Sequence, residues 1–188
     1  MENRAFTLIE LMVTVSLISL LSVLTLANFR QGNKQFALTR SAYQLAQGIR
    51  RAEEMAISSQ EFKGAFQGGF GIHLTLTPTN QDRGQYTLFV DCDNDNQFDE
   101  VSLTCSDCTG GSCTPNSFSE KVETIFLEKG IYISELSPSA ESLVIKFYPP
   151  DPVVTINPDA SLASVSLTFG QSQKKEVKIN KAGLIEIK

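Results

Sequence analysis

The sequence predicts an α+β fold in which one long N-terminal helix packs on an antiparallel β-sheet head. Three observations support this class. A stretch of nineteen residues without a charge, 11–29, stands near the start of the sequence. A stripe of apolar residues at helical spacing follows it, and short alternating segments separated by turn residues make up the remainder. With 188 residues and a formal net charge of −5, the chain has room for one such domain and an appendage.

The uncharged stretch predicts a membrane-spanning first half of the helix, residues 6–29. As a helix the uncharged residues 11–29 are about 28 Å long, close to the ~30 Å hydrocarbon core of a bilayer. A cleaved secretory signal is one alternative, with residues 25–27 (TLA) as its cleavage site, but the apolar run is longer than such signals have. A plain membrane anchor is the other alternative. It leaves Glu10 unexplained, because a carboxylate within a spanning stretch costs about 3 kcal/mol.

Residues 5–13 (AFTLIELMV) resemble the processing and assembly segment of type IV pilins and type II secretion pseudopilins, with residues 1–5 as the leader peptide. The resemblance implies that a membrane peptidase cuts between Ala5 and Phe6 and methylates the new amino terminus. Ala5 stands where the family usually has glycine. The resemblance also implies that Glu10 and the amino terminus of Phe6 on a neighbouring subunit form an assembly contact. A buried carboxylate is tolerable when such a cation neutralises it.

The second half of the helix, residues 30–60, is predicted to be amphipathic. Six apolar residues recur there at alternating spacings of four and three: Leu38, Ala42, Leu45, Ile49, Ala52 and Ala56. No proline interrupts residues 1–77, so the helix is expected to be continuous. A coiled coil is the alternative for this stripe. Packing beneath a sheet is favoured, because the stripe ends at a glycine-rich segment instead of continuing for many heptads.

The remainder, residues 61–188, is predicted to be a β-rich head with an insertion rich in Cys and Asp at about 91–115. Seven segments alternate apolar with polar residues as strands do: 70–77, 85–90, 124–133, 143–148, 161–169, 176–179 and 184–188. Turn-forming residues separate several of them. The closing hairpin also resembles the C-terminal end of the pseudopilin and minor-pilin subfamily with an all-β head.

The segment 91–100 (DCDNDNQFDE), called the acidic loop below, predicts a calcium site. Its oxygen-bearing side chains alternate as in the first half of an EF-hand loop. The candidate ligands are Asp91, Asp93, Asp95, Gln97, Asp99 and Glu100. Asn96 and Ser102 stand where that loop needs its glycine and its last glutamate. The alternative is a solvated turn whose Asp and Asn side chains bond their own backbone.

All four cysteines, Cys92, Cys105, Cys108 and Cys113, fall in the insertion. In an extracytoplasmic head they are expected to form disulfides, with three possible connectivities. A zinc site built on Cys105 and Cys108 is the alternative, but no second Cys-x-x-Cys completes it. The lone histidine, His73, has no companion ligand near it in sequence and is interpreted as an ordinary strand residue. Five C-terminal lysines are interpreted as a solvated strand face.

The resemblance implies a structural subunit of a type IV pilus or a type II secretion system. Its expected partners are other pilin or pseudopilin subunits, the prepilin peptidase and an inner-membrane assembly platform. The expected location is a single pass of the inner membrane with an extracytoplasmic head, and after assembly a filament at the cell surface or across the periplasm. One histidine and no tryptophan leave no catalytic constellation, so no enzyme is predicted.

Two alternatives for function stay open. The first is a membrane-tethered calcium- or ligand-binding module that does not polymerise. The second is a minor pilin for DNA uptake, which the net negative charge disfavours. Some minor pilins of this subfamily take up DNA through arginines in their final strands, and residues 183–187 contain none.

Overall fold

The computed structural model describes residues 7–62, 65–66, 68–78, 80–100, 106–107, 114–115, 119–149, 153–170 and 173–188. Its helix, α1, runs over Leu8–Ile57. The chain divides between Phe36 and Ala37 into two compact units. The secondary structure is α+β, as predicted.

The first unit contains the apolar part of α1. Its start is capped by Thr7, whose hydroxyl accepts a hydrogen bond from the Glu10 amide at 3.3 Å. The window Leu8–Thr25 has a mean hydropathy of 2.2 and none of it is buried within the chain. Within this window, hydroxyls of Ser16, Ser19 and Ser22 donate to the carbonyl four residues earlier, each at 2.8 Å. Among the described residues, this is the one helix long and apolar enough to cross a membrane.

The second unit contains the amphipathic part of α1. The six predicted stripe residues are all buried, each no more than 3% exposed: Leu38, Ala42, Leu45, Ile49, Ala52 and Ala56. This confirms the stripe. The helix ends at Ile57, and Ser59 just beyond it has a positive φ of 47°.

Strands make up most of the second unit. In chain order they are β1 Glu61–Phe62, β2 Ala65–Phe66, β3 Phe70–Thr75, β4 Gln85–Val90, β5 Ser106–Asp107, β6 Thr114–Pro115, β7 Lys121–Phe126, β8 Ile131–Ser137, β9 Ser142–Tyr148, β10 Val153–Asn157, β11 Leu162–Phe169, β12 Gln173–Asn180 and β13 Ile185–Ile187.

The longer strands form two antiparallel sheets. The first has the order β10-β9-β3-β4-β7, and the second has the order β13-β12-β11-β8. Each remaining pair, β1-β2 and β5-β6, is a two-stranded ribbon. A single apolar cluster joins α1 with both sheets, so the head has one hydrophobic core.

Two strand predictions need correction. The segment 124–133, predicted as one strand, belongs to β7 and β8. A turn separates them, in which Gly130 has a φ of +84° and Ile131 donates to the Glu128 carbonyl at 3.0 Å. Glycine adopts that conformation without a Cβ penalty. The sequence reading also missed β10, because the prolines just before it were interpreted only as a turn.

Candidate functional site

Two regions bear on function: the start of α1 and the acidic loop. Glu10 lies in the first turn of α1, where the helix dipole favours a negative charge. Its neighbours Ile9 and Leu11 are exposed apolar residues, 72% and 59% accessible. A carboxylate surrounded by such side chains needs a cationic partner once the segment leaves water. The predicted cleavage residues, Ala5 and Phe6, lie outside the described residues.

The apolar surface continues along the same part of α1. Twelve large hydrophobic residues between Leu8 and Leu24 are 53% to 77% exposed in the isolated chain. A soluble monomer rarely presents so large an apolar surface. This part of α1 therefore requires lipid or other protein surfaces around it.

The acidic loop follows β4 directly and brings three of the predicted ligands together. Carboxylate oxygens of Asp91, Asp93 and Asp95 all lie within 4.8 Å of one another. Asp99 and Glu100, also predicted as ligands, are not members of this cluster. Gln97 follows it, and its amide donates to Asp95 Oδ1 at 2.7 Å.

The loop also has the backbone-bonded pattern that the alternative interpretation expects. Asp93 Oδ1 accepts the Asp95 amide at 3.3 Å, and Asn94 and Asn96 have φ values of 68° and 65°, a conformation that asparagine tolerates. Burial and the charges of neighbouring carboxylates raise the pKa of Asp93. The geometry accommodates both interpretations, so calcium binding stays a prediction.

Sequence reasoning missed Lys146, which neutralises Asp91 at the start of the loop. Lys146 in β9 and Asp91 are both fully buried, and the Lys146 ammonium donates to Asp91 Oδ2. It also donates to Asn94 Oδ1 at 2.8 Å and lies 3.8 Å from the centroid of the Tyr148 ring. The signal in the sequence was a single lysine within an otherwise apolar strand, 143–148 (LVIKFY), because a buried charge requires a partner.

Sequence reasoning also missed Glu120, which closes the loop. Its two carboxylate oxygens accept the amides of Cys92 at 3.0 Å and Asp99 at 2.9 Å. Burial, with the nearby charges of Asp91 and Asp93, raises the pKa of Glu120 to about 7. Glu120 comes just before β7, so it fixes the beginning and end of the loop to the sheet.

The remaining predicted residues are only partly within the described chain. Cys92 is bonded in a disulfide, and its partner lies outside the described residues. Cys105, Cys108 and Cys113 also lie outside them. His73 in β3 stacks on Phe98 of the acidic loop, with ring centroids 5.0 Å apart.

Comparison with known protein families gives a match at the start of the chain. A family profile described as the prokaryotic N-terminal methylation motif matches residues 1–26. This motif is the prepilin-type signal of type IV pilins and pseudopilins, and it supports a precursor of pilin or pseudopilin type. No curated protein and no solved structure matches the chain.

Proposed function

We propose that the chain is a structural subunit, a pilin or pseudopilin, which is cut between Ala5 and Phe6 and assembles from the inner membrane into the filament of a type IV pilus or a type II secretion system. One observation carries this proposal. The methylation motif at residues 1–26 overlaps the apolar window Leu8–Thr25 of α1, none of which is buried within the chain.

The apolar surface of Leu8–Thr25 suits the subunit both in the membrane and in the filament. In the membrane, Leu8–Thr25 satisfies its own backbone as a helix and presents apolar side chains to lipid. In the filament, the same side chains pack against the helices of neighbouring subunits. The head would then lie on the extracytoplasmic side, and the prepilin peptidase and an assembly platform would be its membrane partners.

Glu10 supplies the specific contact in this proposal. Its carboxylate would pair with the amino terminus of Phe6 on an adjacent subunit, because burial of either charge alone among packed helices is strongly unfavourable. A plain tether makes no contact with other subunits, so it gives Glu10 no role. Glu10 therefore separates a filament subunit from a membrane-tethered binding module.

The DNA-uptake alternative has little support from the head. Four of the five C-terminal lysines are in ion pairs with carboxylates: Lys174 with Glu135, Lys178 with Glu176, Lys181 with Asp159 and Lys188 with Glu186. These pairs reduce the positive field that would attract phosphates. The methylation motif likewise suggests a structural subunit rather than an enzyme.

Calcium binding by the head is a second candidate function. The observation that favours it is the approach of the Asp91, Asp93 and Asp95 oxygens to within 4.8 Å of one another, since Ca²⁺ is held by several oxygens at about 2.3–2.6 Å. The Lys146 ammonium already neutralises Asp91, however. A calcium ion would have to displace it.

For the insertion we propose that the four cysteines form two disulfides in the oxidising compartment outside the inner membrane. The disulfide at Cys92 supports this. The three connectivities stay open.

Processing is the test of the proposed function. The chain is expressed in a host with prepilin peptidase, and the mature N-terminus is read by mass spectrometry. We expect a chain that begins with a methylated Phe6. A matched host without the peptidase should yield residues 1–5 still attached. A mature chain that begins at Asn28 would instead establish an ordinary secretory signal and remove the filament function.

A further inference from the structure

Lys146 is a charged residue in a buried strand. Its neighbours in β9, Ile145 and Phe147, belong to the apolar core, and Lys146 itself has no exposed surface. A buried ammonium group is strongly unfavourable unless a carboxylate and further hydrogen bonds neutralise it. Asp91, which is separated from Lys146 by 55 residues in sequence, supplies that carboxylate.

Gly69, which lies just before β3, leaves space for the Lys146 side chain. The order β9-β3-β4 places β3 between Lys146 and the end of β4, where Asp91 follows. Gly69, just before β3, has a φ of +148°. A Cβ at this position would lie 2.9 Å from Lys146 Cε and 2.7 Å from the Phe147 carbonyl oxygen. Glycine therefore leaves the space in which the lysine side chain extends towards Asp91.

The ammonium group is surrounded as a bound cation would be. Its oxygen partners are Asp91 Oδ2 and Asn94 Oδ1, and the face of the Tyr148 ring lies on it. These partners are themselves fixed. The Asn94 and Asn96 amides donate to Asp91 at 2.6 and 3.0 Å, and the Tyr148 hydroxyl donates to Asn94 Oδ1 at 2.7 Å.

We propose that Lys146 is the resident cation of the acidic loop, and that its ammonium group holds the loop in its folded form without a metal ion. This inference does not depend on assembly into filaments. It argues against the calcium candidate, because Lys146 then supplies Asp91 with a positive charge from within the chain. The head should accordingly be as stable in a chelator as in Ca²⁺.

The test is a double-mutant cycle on the full chain in detergent. The parent, Asp91→Asn, Lys146→Met and the double variant are melted in a chelator and in millimolar Ca²⁺, followed by circular dichroism. The parent should melt at the same temperature in both. Lys146→Met should melt about 6–20 °C lower, because it leaves a buried carboxylate uncompensated. The double variant should recover at least half of this loss, since the charge is gone from both sides.

Lys174→Met is the matched control, because it breaks an exposed lysine–carboxylate pair, with Glu135. It should shift the melting temperature by about 4 °C or less. If Lys146→Met does not fold but the double variant does, the loss of folding is likewise assigned to the uncompensated Asp91 carboxylate. The inference is overturned if the parent loses stability in the chelator, which would make a metal the cation of the loop, or if Lys146→Met is no less stable than the double variant.

Discussion

His73 links the central strand β3 to the acidic loop. Its ring stacks on Phe98, which in turn meets Phe89 of β4 edge-on with centroids 5.6 Å apart. Burial lowers the pKa of His73 below its ordinary value of 6.5, because the charged imidazolium is disfavoured away from water. The neutral ring is therefore the form that stabilises this contact.

Acid should weaken the head through His73. Since its pKa is lower in the folded state, the unfolded chain binds more protons as the pH falls below about 6.5, and stability is lost as the pH falls through the folded pKa. Glu120, whose pKa is raised to about 7, adds stability as the pH falls over the same range, so the check is the difference in melting temperature between the parent and a His73 variant, measured from pH 7.5 to pH 5. His73→Phe, which keeps an aromatic ring and removes the titrating group, should lose less stability over this range. An identical pH dependence in both proteins would assign the acid loss to other groups.

The residues of the acidic loop show what a sequence can and cannot predict at this scale. The alternation of Asp91, Asp93 and Asp95 is a local pattern, and these residues do lie together. The partners Lys146 and Glu120 come from distant parts of the chain. Their approach depends on strand order and register, which no local pattern specifies.

At the scale of elements, the close contact of α1 with β4 depends on Gly48. A Cβ at this position would lie 2.5 Å from the Tyr86 hydroxyl oxygen. That hydroxyl donates to the Gln44 carbonyl at 3.1 Å, and Tyr86 is only 2% exposed. Because the ring is enclosed, it has little room to move away from an added methyl group.

Gly48→Ala should destabilise the head by about 1–3 kcal/mol, through overpacking against Tyr86. This reverses the usual preference of helices for alanine. Gly32→Ala is the matched control, since the nearest atom to its added Cβ is 4.0 Å away, and it should not destabilise. Denaturant unfolding followed by circular dichroism measures both. A Gly48→Ala variant as stable as the parent would show that helix and sheet separate at little cost.

The elements differ in how well their sequence predicts them. The stripe from Leu38 to Ala56 was predictable because its six residues, at alternating spacings of four and three, are all apolar. The boundary between β7 and β8 was missed, although Glu128, Lys129 and Gly130 interrupt the apolar residues there and are a local turn signal. β10 was missed because prolines precede it.

At the scale of the whole molecule, the two units require different surroundings. The window Leu8–Thr25 buries none of its surface within the chain, whereas the second unit has a hydrophobic core drawn from α1 and both sheets. The head buries its apolar residues in its own core, whereas the N-terminal unit needs lipid or other subunits to cover its apolar surface. This division accords with a precursor that carries the prepilin-type signal.

Replacement of Glu10 tests the filament function most directly. Glu10→Ala and Glu10→Gln should both enter the membrane, because removal of the charge favours insertion by about 3 kcal/mol. Neither should enter filaments efficiently, since the incoming amino terminus would be buried without a partner at a cost of about 3–5 kcal/mol. Glu141→Gln is the matched control, as it removes an exposed charge from the head and should assemble like the parent.

The decisive measurement is the fraction of each variant recovered in sheared filaments and in the membrane, at native expression level. Both Glu10 variants should remain in the membrane, with the filament fraction reduced by about a hundredfold or more. If both enter filaments as well as the parent does, Glu10 is not an assembly contact. The chain would then be better described as a membrane-tethered module.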